Sequence, residues 1–201
     1  MRRILCFGDS NTYGYSPDGQ RYAEDSIWPG IMGKLLGDRF EVVADGKNGR
    51  TIAFDDPYME GCNGMRDIET SLEANAPLDL VVLMLGTNDL LENPDFTAVD
   101  VAKRMERFLK RLMEEAGFAS RKMKLRLIAP PAMQKGAWVE RPELLTESRN
   151  LGKEYQRIAR RVGVAFTDAS GWEIPTIYDG VHFTEEGHRM FAEKIREEIK
   201  I

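Results

Sequence analysis

Short apolar runs alternate with longer amphipathic stretches along this chain. Five runs, Ile4–Phe7, Phe40–Ala44, Leu80–Leu85, Leu125–Ala129 and Val164–Thr167, are rich in β-formers and have the length of strands. The third, Leu-Val-Val-Leu-Met-Leu, is apolar without alternation. A strand covered on both faces reads that way, so this run is expected at the centre of a parallel sheet. Between the runs the apolar period lengthens to that of a helix, over Trp28–Leu36, Met65–Asn75, Ala98–Ala116, Glu147–Val162 and a last segment beginning after Thr184. In Ala98–Ala116 the residues Val101, Met105, Phe108, Leu109 and Leu112 fall on one face. The last segment carries Phe191, Ile195 and Ile199 at helical spacing behind Thr184, a good N-cap. Strand–helix alternation of this kind predicts a doubly wound α/β domain with right-handed crossovers. There is no internal repeat, low-complexity tract or linker, so residues 1–201 read as a single domain.

Three connections, Tyr15–Ile27, Ala53–Gly64 and Pro130–Thr146, are longer than a crossover needs, and long loops in compact α/β domains are usually functional. In open α/β sheets ligands bind beyond the carboxyl ends of the strands, and chemistry-bearing residues stand at those ends. The first run is followed by Gly8-Asp9-Ser10-Asn11-Thr12. A serine there is a nucleophile only with a base in reach; without one it is a turn or cap residue. The third run ends in Gly86-Thr87-Asn88-Asp89, where Asn88 offers an amide donor or simply turns the chain. Near the C-terminus stands Asp179-Gly180-Val181-His182. A carboxylate three residues before an imidazole can turn back onto it and fix its tautomer. The second of the two histidines, His188, lies in the first turn of the last helix and receives no role.

Composition narrows the choice by exclusion. The net charge of -5 is spread among interspersed acids and bases, with no basic block, so no nucleic-acid partner is expected. No apolar stretch approaches the roughly 18–20 residues of a membrane span. Ile4–Phe7 is far shorter than the ~7–15 residues of a signal-peptide core, and the expected location is cytoplasmic. The two cysteines form no disulfide framework. Cys6 reads as a core residue, and Cys62, in a Gly-rich loop, as an exposed thiol. No His/Cys/Asp cluster has metal-ligand spacing, and neither metal nor cofactor is expected. A nucleotide-binding module of the same architecture would need a phosphate loop after the first strand. Asp9 stands where phosphate would be repelled, and no Gly-Lys-Ser/Thr follows.

Taken together the blocks resemble the SGNH (GDSL-type) hydrolase superfamily. Gly8-Asp9-Ser10 is similar to its nucleophile block, with Asn11 in place of the eponymous leucine. Gly49, in Asn48-Gly49-Arg50-Thr51, is similar to its glycine block, Gly86-Thr87-Asn88-Asp89 to its asparagine block, and Asp179-Gly180-Val181-His182 to its Asp-x-x-His block. The runs Arg3–Ser10 and Leu78–Asp89 look like the small bacterial arylesterase/acyltransferase branch, whose members act on short-chain esters, in some cases transfer acyl groups to alcohols, and tend to oligomerise. The resemblance implies a flavodoxin-like three-layer sandwich around a central, mostly five-stranded parallel sheet. It implies Ser10 as nucleophile, His182 as base and Asp179 as the acid that orients it. The oxyanion donors would be the backbone N–H groups of Ser10 and Gly49 and the side-chain amide of Asn88. The partners would be a small-molecule ester and further copies of the chain. Asp9 is read as a loop-holding residue. The substrate walls are assigned to Tyr13, Tyr15, Trp28, Tyr58, Pro131, Met133 and Trp138, with core or interface packing the alternative for each aromatic. A carbohydrate acetylesterase, a thioesterase or lysophospholipase, and a catalytically inactive interaction module are the rival readings. The complete Ser10, Asp179 and His182 set weighs against the last.

Overall fold

The unbroken apolar run becomes β3 (Leu80–Met84), with all five side chains buried. They divide between two cores: Val81 and Leu83 face one layer, Leu80, Val82 and Met84 the other. Period-2 alternation is present, but both faces are apolar because both are covered. This computed structural model describes residues 1–54, 62–93, 95–115 and 123–199. Around β3 stand β1 (Arg2–Gly8), β2 (Phe40–Gly46), β4 (Lys124–Ala129) and β5 (Ala165–Asp168). They form one five-stranded sheet in the order β2-β1-β3-β4-β5, with every pairing parallel. That is the flavodoxin-like order, with its switch point between β1 and β3.

The helices lie in two layers. On one face α3 (Gly64–Ala74), α5 (Ala98–Glu115) and α6 (Pro142–Val162) bring Ile68, Leu72, Met105, Phe108 and Tyr155 against Leu5, Phe7 and Leu127. On the other, α2 (Trp28–Leu36) and α7 (Glu185–Glu198) bring Trp28, Met32, Phe191 and Ile195 against Ile4, Cys6 and Ile128. All five α5 positions read from the sequence are buried. Thr184 caps α7 by accepting the Gly187 N–H at 3.0 Å.

Two departures from the sequence reading bear on the site. Helix α6 begins at Pro142, five residues before the predicted Glu147. Proline at the first helical position starts a helix rather than ending one, and Leu144, Ser148 and Leu151 continue the buried stripe. The preceding connection is therefore Pro130–Arg141. Two short helices, α1 (Ser10–Tyr13) and α4 (Thr87–Glu92), follow β1 and β3 directly; four and six residues are too few to show a period. No helix among the described residues is long and apolar enough to cross a membrane.

Candidate active site

The switch point gathers the three chemistry-bearing blocks. Asp9 caps α1 by accepting the Asn11 N–H at 3.0 Å, which presents Ser10 as the first residue of that helix. Ser10 Oγ lies 2.8 Å from His182 Nε2, and His182 Nδ1 lies 2.7 Å from Asp179 Oδ2. The other Asp179 oxygen accepts the N–H groups of Val181 (2.8 Å) and His182 (3.0 Å). Burial pushes the Asp179 carboxyl up. Hydrogen bonds from the His182 ring and from these two N–H groups outweigh it and hold the group below the ordinary 3.8. An ionised carboxylate only accepts, so Nδ1 carries the hydrogen and Nε2 turns its lone pair to Ser10. The arrangement can take a proton from the serine.

The turn bearing Asp179 and His182 is gripped from two sides. The Asn11 amide donates to Val181 O at 3.1 Å and accepts the Phe183 N–H at 2.9 Å, holding the residues on either side of His182. From the other side the Pro130–Arg141 connection donates three backbone N–H groups: Gln134 to Gly180 O at 2.8 Å, Ala137 to Tyr178 O and Trp138 to Asp179 O, both at 3.1 Å. The two backbones approach so closely that a Cβ at Gly136 would sit 2.2 Å from the Asp179 carbonyl carbon, and one at Gly180 2.3 Å from Gln134 O. Rings cover the imidazole: Tyr15 lies 4.3 Å from it and tilted by 36°, and Trp138 meets it edge-on at 5.0 Å.

Opposite the histidine, Gly49 turns the chain at φ +71°, which only glycine adopts without strain. Asn88 Nδ2 donates one hydrogen to Arg50 O at 3.0 Å, which leaves the second for another acceptor. The backbone N–H groups of Ser10 and Gly49 donate to no group among the described residues. These residues line a cleft of about 530 Å³ together with Tyr15, Trp138, Leu91 and Leu144 and the charged Glu92, Glu140 and Arg141. Among the described residues no group of three or more His, Cys, Asp or Glu side chains is placed to hold a metal ion.

The sequence pattern of the GDSL-like lipase/acylhydrolase family matches residues 6–190. The chain belongs to this family. No curated protein matches the sequence. Among solved structures, the acylhydrolase is similar to the aryl esterase of M. smegmatis, with 32% identity and a TM-score of 0.86 over 99% of this chain and 100% of that one. It is also similar to a carbohydrate acetylesterase family member from Sinorhizobium meliloti, at 31% identity and a TM-score of 0.88 over 98% and 96% of the two chains. The carbohydrate acetylesterase Est24 of the same organism is 29% identical, with a TM-score of 0.88 over 98% and 97%.

Several expected wall residues of the acylhydrolase lie elsewhere. Trp28 is fully buried in the α2–α7 core, 5.2 Å from the Phe191 ring. Met133 is buried in the opposite core, and its N–H donates to Ser148 Oγ. Tyr13 and Pro131 stand outside the cleft, and Tyr13 instead packs its ring under the Arg21 guanidinium. Tyr58 lies outside the described residues. Tyr15 and Trp138 do line the cleft. Leu91 and Leu144 went unnoticed because both fall outside the helices expected from the sequence, Leu144 in the Pro130–Thr146 connection and Leu91 in a helix too short to show a period. Cys62 is not an exposed thiol: it is buried, and its Sγ donates to Asn48 O at 3.2 Å. His188 is fully buried, and its Nδ1 accepts the Trp28 N–H, which supplies the cap that Ile27 cannot give to α2.

Asp9 sits wholly buried beneath the acylhydrolase's Ser10. Burial pushes its carboxyl up to about 6, against the opposing pull of the Asn11 N–H and of the His182 and Arg50 charges. A folded value above the ordinary 3.8 stabilises the protein fully below that value, and the contribution is lost as pH rises through about 6. Asp9→Asn removes this loss. The variant is expected to gain up to about 3 kcal/mol against denaturant at pH 8 and far less at pH 4. Equal changes at both pH values in urea titrations would refute this account of the group.

Proposed function

We propose that this acylhydrolase is a serine esterase acting on short-chain carboxylic esters. The observation that carries the reading is the unbroken hydrogen-bond chain Ser10–His182–Asp179, which opens onto a cleft toward which Gly49 and Asn88 converge. In the proposed cycle Ser10 Oγ attacks the ester carbonyl while His182 takes its proton. Charge gathers on the carbonyl oxygen, held by the N–H groups of Ser10 and Gly49 and the Asn88 amide. Each such donor is worth about 2.7–4 kcal/mol of transition-state stabilisation. His182 returns the proton to the departing alcohol and leaves an acyl-serine. Water attacks this intermediate, or another alcohol does in acyl transfer, and gives its proton to His182, which passes it to Ser10 Oγ as the acyl–Oγ bond breaks and the acid or new ester leaves. Asp179 holds the imidazole and balances its charge when it is protonated. No step calls on a metal or cofactor.

The cleft supports short acyl groups. Tyr15 and Trp138 close over the imidazole, and Leu91 and Leu144 add apolar wall. Rates on p-nitrophenyl esters are expected to peak between acetyl and butyryl and to fall beyond. A rate rising through octanoyl and decanoyl esters would reject the short-pocket reading in favour of a lipase or thioesterase. A second reading, carbohydrate acetylesterase, draws on the similarity to the Sinorhizobium meliloti proteins and on Trp138, whose half-exposed ring at the rim suits a sugar face. It shares the acyl-serine and differs in the alcohol, so acetylated sugars in the same assay decide between them. Trp138 and Tyr178 are exposed beside the site, and exposed apolar rings usually mark contacts. The reading therefore includes a homo-oligomer, which a solution mass of 22.8 kDa by light scattering would reject.

A further inference from the structure

Arg50 is only 4% exposed. A buried guanidinium is costly unless its N–H groups meet acceptors, and the acceptors here are informative. Nη1 donates to Gly8 O at 3.0 Å and to Asp45 O at 2.8 Å, and Nη2 donates to Asp45 Oδ1 at 3.0 Å. Nε lies 3.5 Å from Asp67 Oδ2, and the group stacks 4.1 Å above the Phe7 ring. Asp45 is itself held by Ser71 Oγ. The side chain therefore clamps the carboxyl ends of β1 and β2, directly behind the Ser10 turn. Its main chain works in the other direction. Arg50 N–H donates to Lys47 O at 3.2 Å and closes the turn that carries Gly49. Arg50 O accepts the Asn88 amide at 3.0 Å.

We propose that Arg50 is the positioning residue that sets the Ser10 N–H, the Gly49 N–H and the Asn88 amide around one point. The proposal rests on the esterase reading above. β2 ends at Gly46, so the Gly49 turn belongs to no strand or helix. Lys47 N–H to Gly8 O, at 3.3 Å, ties its near end. The Arg50 side chain ties its far end to that same carbonyl, two residues before the nucleophile. If the side chain lets go, the Arg50 carbonyl moves, and the Asn88 amide bonded to it turns away. A positioned donor displaced by about 1 Å loses on the order of 10²-fold in rate. Lysine, a point charge without the planar fork, cannot reach two carbonyls and a carboxylate at once.

The test uses Arg50→Lys and Asp45→Asn, each in the wild-type and the Asn88→Ala backgrounds. Assays are steady-state kinetics on p-nitrophenyl acetate and fluorophosphonate labelling of Ser10. In the wild-type background Arg50→Lys is expected to lower kcat about 10–100-fold with KM changed less than about threefold. It should slow labelling by a similar factor while leaving its final extent complete. In the Asn88→Ala background, where one of the aligned donors is already gone, the same change is expected to cost less than about threefold. A kcat within twofold of wild type, or the same loss in both backgrounds, overturns the positioning role. If Arg50→Lys does not fold, Asp45→Asn, which keeps the arginine and loosens its anchor, is judged by the same comparison. Failure of the wild-type protein to label at Ser10 would instead count against the esterase reading.

Discussion

Ser10→Ala is expected to lower kcat on p-nitrophenyl acetate by about 10³-fold or more while leaving the protein folded. The substitution removes one oxygen, whose hydrogen-bond partner is His182 Nε2. The Asp9 cap on the Asn11 N–H and the Asn11 grip on Val181 and Phe183 involve other atoms and remain. Any residual rate would come from water attack on an ester still held by the backbone N–H groups of residue 10 and Gly49 and by the Asn88 amide. Near wild-type turnover by a variant with an unchanged circular dichroism spectrum would remove Ser10 from the mechanism.

Asp179→Asn is expected to cost about 10⁴-fold in kcat, comparable to losing the nucleophile. The asparagine oxygen can still accept the Val181 and His182 N–H groups, so the turn keeps its shape. Its amide then faces His182 Nδ1 as a donor. That forces the hydrogen onto Nε2, which can no longer accept the Ser10 proton. Stability should respond separately. Because the Asp179 carboxyl is held below its ordinary value, its contribution is present above that value and lost as pH falls through the lowered one. The variant should lack this acid-side component. A loss of less than tenfold in kcat near pH 8 would take Asp179 out of the relay.

The sheet was readable because burial on both faces leaves a signature in its inner strands, while the partly buried edge strands β2 and β5 showed only as short runs of β-formers. Leu80–Leu85 shows it most plainly, and α5 carries the matching helical stripe. The short helices behind Ser10 and Asn88 were invisible to periodicity, and those two residues were found as motifs instead. The wall of the cleft was legible only in part, at Tyr15 and Trp138. Trp28 and Trp138 are alike as sequence, yet one is sealed in a core and the other stands in the cleft, because Trp138 hangs on a segment bonded to the Tyr178–Gly180 turn. The roles of Asn11 and Arg50 depend on acceptors 170 and 42 residues away. No local pattern announces such a partner.

The three backbone bonds between the Pro130–Arg141 connection and the Tyr178–Gly180 turn have a consequence for how this scaffold can change. Rim and acid turn move as one piece, with Gly136 and Gly180 leaving no slack between them. An insertion or deletion in the 134–138 stretch would slip those bonds out of register and drag Asp179 away from the imidazole. The route to a new substrate range is therefore exchange of side chains at Trp138, Leu91 and Leu144, each of which alters the cavity without touching the bonds beneath it. Grafting a longer lid at this place would trade away the proton relay. Diversification by loop length is better tolerated at the Tyr15–Ile27 connection, whose tip at residues 17–20 is exposed and makes none of those three bonds.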